Sequence, residues 1–156
     1  MAMKETERSL RAYFLIAGIF GALWALHEVS VIWKIPMDQF PASWRTIVWF
    51  PAATHLPICI GFTVAGFKLK SALLGDPSWI LRLLGVSGFL LVLQIALNAA
   101  TFGTSFAAQR GAGTIVGIAI TTYLYFNVKR LAREAKERAG QVALTPAVAL
   151  DARRER

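Results

Sequence analysis

Three ionisable side chains interrupt the long apolar stretches of this 156-residue chain: His27, Glu28 and His55. His27 and His55 are its only histidines. A charge at mid-bilayer is costly, on the order of 3 kcal/mol on insertion scales, so an ionisable residue there marks a functional site by default. A carboxyl beside an imidazole can transfer a proton. Two imidazoles on neighbouring helices can ligate one haem iron axially. Gln94 and Asn98 stand i, i+4 apart, on a helical face that Ser87 and Thr101 continue. Such amides either hold a ligand's polar group or hydrogen-bond one helix to another.

Positioning these residues requires helices, and the charge pattern says what kind. Hydrophobic types make up 56% of the chain and charged types 17%, against about 25% charged in a soluble domain. No Asp, Glu, Lys or Arg occurs between Arg45 and Lys68, nor between Arg82 and Arg110. About 20 helical residues cross a hydrocarbon core of about 30 Å, so these runs are long enough to be spans. Four are expected, over 12–33, 46–67, 80–102 and 111–128. The charged start, Met1 to Arg11, leads into a run too long for a signal peptide's apolar region, and no clear cleavage pattern ends it. It reads as a retained first span.

The expected class is therefore all-α: an integral membrane four-helix bundle, up-down-up-down because its connections are short. A short basic cytoplasmic helix and a disordered tail over 141–156 complete it. Pro36 and Pro41 mark the first connection, and Gly75-Asp76-Pro77 marks a turn in the second. Fourteen of the 17 Lys and Arg residues fall on one side: Lys4, Arg8, Arg11, Lys68, Lys70, Arg82 and eight beyond Asn127. Basic loops stay cytoplasmic, which puts both termini inside, as in a bacterial inner (plasma) membrane. The net charge of +8 gathers largely in the tail beside the last span. That placement suits anionic lipid headgroups and gives no reason to expect nucleic acid.

Small residues let membrane helices approach closely. Gly18, Gly21 and Ala25 form one such stripe, Gly61 and Ala65 another, and Gly113 and Gly117 a third. These faces can serve within one chain, in a homo-oligomer or against another membrane protein. Glu28 shares the first stripe's face, whereas His27 lies 100° around the helix toward Phe20, Leu23 and Trp24. His55 lies between Pro51 and Pro57, and Pro57 disturbs the helix by lacking a donor. Counted along the spans, His27, Glu28, His55, Gln94, Asn98 and Thr114 all fall in the outer half. Cys59 reads as a small apolar packing residue.

Three functions remain open. One is a small protein with a polar pocket that binds a small apolar or lipid-like ligand, or an accessory and assembly subunit. Another is electron transfer through one b-type haem held by His27 and His55. The third is acid–base catalysis by His and Glu on a lipid-like substrate. Phosphate loops, nucleophile elbows and haem-attachment cysteine pairs are absent from the sequence.

Overall fold

The computed structural model describes the backbone of residues 2–39 and 41–154, and the side chains of 5–36, 38–39, 41–104 and 111–140. Four long helices carry the described chain: α1 (Ala2–Ile32), α2 (Ala42–Leu74), α3 (Ser78–Phe102) and α4 (Thr104–Arg154). A single 3-10 turn, Met37–Gln39, lies between α1 and α2. Each helix contains a segment long and apolar enough to cross a membrane: Glu5–Ile32, Ala42–Leu74, Ser78–Phe102 and Gly111–Gly140.

The apolar windows of these segments are only 6% to 28% buried within the chain. Phe20, Leu23, Phe67, Phe89, Ile115 and Phe126 all point outward. In water such a continuous apolar exterior would aggregate; an apolar solvent makes it unremarkable.

Glycines set how α1 meets α2. A Cβ on Gly18 would run into Thr63 and Cys59, one on Gly21 into Cys59 Sγ, and one on Gly66 into Leu15. The residue numbers rise along α1 as they fall along α2, from Leu15 beside Gly66 to Trp33 beside Trp49. α3 packs chiefly on α4, where Gly117 admits Leu91. α2 also touches α3, while α1 and α3 hardly meet. Gly113 has nothing within 4 Å of a built Cβ, so the Gly113–Gly117 stripe is used within the chain only at Gly117.

Packing is uneven along the bundle. Leu10, Phe14, Leu69, Ile80, Leu84, Leu124, Val128 and Leu131 form one buried core, all toward the end that carries most of the basic residues. Toward the other end, near Trp33, Trp44 and Trp49, the buried hydrophobic residues among the described ones reduce to Ala25 and Ala52. One end is shut by side chains and the other is open.

One local feature differs from the sequence expectation. Gly103 alone separates α3 from α4, so the expected connection 103–110 is mostly the first turns of α4. Gly103 has φ 85°, the left-handed region that glycine enters without a Cβ clash, and one such residue suffices to end α3. The basic stretch Lys129–Arg138 lies within α4. It carries i, i+4 pairs of Arg130 with Glu134 at 3.7 Å and Arg133 with Glu137 at 3.0 Å. The backbone over 141–154 also belongs to α4.

The start of α3 is held by Asp76, whose carboxylate accepts from the Ser78 amide at 2.9 Å and the Ser78 hydroxyl at 2.7 Å. The hydroxyl bond, more than the amide bond, holds the Asp76 carboxyl below the usual carboxylate range. A depressed carboxyl adds stability above its unfolded-state value, near 3.9, and the gain disappears as pH falls through the folded value. Asp76→Ala is accordingly expected to speed amide exchange at Ser78–Leu81 at neutral pH, and wild type is expected to approach the variant below about pH 4. Equal exchange at neutral pH would remove this role.

Candidate functional site

The open end encloses a cavity of about 550 Å³ to which all four helices contribute. α1 supplies Trp24, His27 and Glu28; α2 supplies Pro51 and His55; α3 supplies Gln94, Asn98 and Phe102; α4 supplies Thr114. Val31, Ile32, Ile47 and Val48 complete an otherwise apolar wall. Every polar residue singled out above as a ligand candidate lines this one space, because each stands at a similar height on its own helix. Thr101 is not among the lining residues.

Glu28 is the centre of the polar wall. Its Oε1 accepts a 2.9 Å hydrogen bond from the Trp24 indole, one helical turn earlier. Its Oε2 lies 3.5 Å from His55 Nδ1, across the α1–α2 contact. That oxygen is buried and accepts no hydrogen bond in the structure. A buried acceptor without a hydrogen bond forfeits about 1–3 kcal/mol, more when charged, which a small turn of the carboxylate toward His55 or toward the cavity would recover. The Gly18 and Gly21 contacts draw α1 against α2 and so bring Glu28 to His55. Since His55 meets Glu28 through Nδ1, Nε2 is the ring nitrogen left for another partner.

His27 sits apart from this pair. Its ring is exposed and lies 6.1 Å from the Trp24 indole, centroid to centroid. It borders the cavity without a hydrogen bond from its ring to another described residue. Among the described residues, no three of His, Cys, Asp and Glu group as ligands for a metal ion.

Gln94 and Asn98 are half-buried and face the cavity. Neither makes a side-chain hydrogen bond to another helix, in contrast to the hydrogen-bonding glue that amides often supply in membranes. Thr54, Thr63 and Thr121 return their hydroxyls to the backbone four residues back; Ser87, although buried, does not. Below His55 a chamber of about 30 Å³ is bounded by Thr54, His55, Ser87 and Gln94 along with three apolar residues. It has the size and the polar partners needed for one water molecule.

The chain matches no protein-family model, no curated protein and no solved structure. Function therefore rests on this geometry alone. Trp24 is the site residue that sequence reasoning missed as a partner of Glu28. Its signal was the i, i+4 spacing to Glu28, which puts an indole donor on the carboxylate's own face. Phe102 and Pro51 enter the wall through helix crossing and carry no comparable signal.

Proposed function

We propose that this chain is an integral membrane protein that binds a small apolar or lipid-like ligand in the cavity, with Glu28 and His55 as the polar anchor. Its helices cross the bilayer up-down-up-down, the basic end is cytoplasmic and the cavity occupies the outer half. The 14-to-3 split of basic residues supports that orientation, as does the run of Trp33, Trp44 and Trp49 at the open end. This reasoning sets the chain in a bacterial inner membrane, with the basic part of α4 against anionic headgroups. The observation that carries the ligand reading is the Glu28 carboxylate in the lining of a mainly apolar cavity, one of its oxygens held against His55 without a hydrogen bond. Binding sites are commonly of this size and combine apolar walls with a few convergent polar groups.

Native mass spectrometry of the protein released from nanodiscs tests the reading. Wild type is expected to keep one small apolar molecule at fixed stoichiometry after bulk lipid is stripped. Asn98→Trp, which adds an indole to the cavity, is expected to lose it. Wild type with no retained molecule, or equal retention by the variant, would overturn the proposal. A sharp reduced α band in the visible spectrum would replace it with a bis-His haem on His27 and His55.

The approach of Glu28 Oε2 to 3.5 Å from His55 Nδ1 also favours a second reading, acid–base catalysis on a lipid-like substrate, because a small shift brings the two groups within proton-transfer reach. The same spectra address it: a ligand mass that changes with time in wild type but not in Glu28→Gln identifies turnover.

A further inference from the structure

We infer that the cavity selects a lipophilic cation, an amphiphile carrying an ammonium group, with Glu28 as its counter-charge. The inference rests on the ligand-binding reading and adds the chemical class of the ligand.

The charge-bearing groups of the described wall are one-sided. Glu28 is the only acidic side chain among the described lining residues, and no Lys or Arg is among them. The strongest donor beside it, the Trp24 indole, is already spent on Glu28 Oε1. An anionic ligand would therefore meet a carboxylate with no fixed positive charge to offset it. His55, the nearest group to Oε2, is not a permanent cation as Lys or Arg is.

An ammonium has three donors and needs several acceptors in one place. The Glu28 carboxylate is one source of them. Gln94, Asn98 and Thr114, also in the lining, each carry an oxygen acceptor beside their donors. Trp24 and Phe102 bring aromatic rings to the lining, and an aromatic ring attracts a desolvated cation. Val31, Ile32, Ile47 and Val48 leave apolar surface for the ligand's hydrocarbon part.

The test keeps the chain length of the probe constant and changes only its head. Binding of decylammonium, decanol and decanoate is measured on the full chain in nanodiscs of zwitterionic phosphatidylcholine, with empty nanodiscs subtracted. Saturable decylammonium binding at least tenfold tighter than decanol, with no saturable decanoate binding, is expected. Glu28→Gln should bring decylammonium to the decanol level, while Gly85→Ala, at an open position away from the cavity, should not change it. The comparison on wild type decides even if Glu28→Gln does not fold. Equal binding of all three probes would overturn the cation inference and leave the ligand reading standing. Saturable binding of none of them would overturn the cation inference too; only the retained-molecule experiment bears on the broader reading.

Discussion

Gly18→Leu is expected to prevent assembly of the bundle, and Gly18→Ala to cost about 2 kcal/mol, within the usual range for overpacking a tight contact. A Cβ at this position would lie 2.5 Å from the Thr63 backbone nitrogen and 2.8 Å from the Cys59 carbonyl oxygen, besides meeting the Thr63 side chain. Two of these three atoms belong to the α2 backbone. No rotamer change relieves them, so α1 must move away from α2. The displacement should also separate Glu28 from His55, which links this packing contact to the site. Gly85→Ala and Gly113→Ala serve as controls, because a Cβ at either meets nothing within 4 Å. Both should stay within about 0.5 kcal/mol of wild type, as substitutions away from tight features do. Denaturant titration of the protein in nanodiscs or mild detergent measures all of them. A Gly18→Ala protein as stable as the controls would show that α1 and α2 do not approach this closely.

Phe14→Ala is expected to be the most damaging single truncation at the opposite end, costing roughly 3 kcal/mol, the low part of the range for Phe→Ala. Phe14 is fully buried and meets Phe62 of α2 edge to face at a centroid distance of 5.6 Å. Leu10, Leu69 and Leu124 belong to the same core. The low end of the range applies because, in a bilayer, lipid rather than water is the competing solvent and the loss is mainly one of packing. The void would open within a fully buried position of the core, away from lipid. Stability should fall while the small molecule proposed to stay bound to wild type keeps its stoichiometry in the fraction still folded, since the core and the cavity lie at opposite ends. A parallel loss of ligand from folded Phe14→Ala protein would contradict that separation. The closed end supplies the stability that allows the other end to remain open.

The contrast between these two ends was only partly legible in the sequence. Span number follows from the length of charge-free segments, a local property, and the four helices occupy the expected regions. The helix ends were less legible. Thr104 to Arg110 reads as a connection because Gly103 and Gly111 bracket it, yet one glycine at positive φ is all the chain needs to turn. The stripes behave differently from one another for a similar reason. Gly18 and Gly117 are both small residues on apolar helices, and both accept a neighbour, whereas Gly113 faces open space. Spacing gives the angle of a residue around its own axis. It does not give the rotation or tilt of the helix that comes to meet it.

By itself, then, the sequence determined that the chain forms four long apolar helices and that its unusual polar residues are His27, Glu28, His55, Gln94 and Asn98. Helix periodicity and the energetic penalty on buried charge are sufficient for both. Only the tertiary structure decided that Glu28 turns to His55 and Trp24 while His27 stays outside that contact. It also decided that the amides face a cavity in place of another helix, and that the helices close at the basic end and part at the Trp-bearing end. Those outcomes depend on how closely glycine lets α1 approach α2 and on how little α1 touches α3. They are properties of helix pairs, and no single helix encodes them alone.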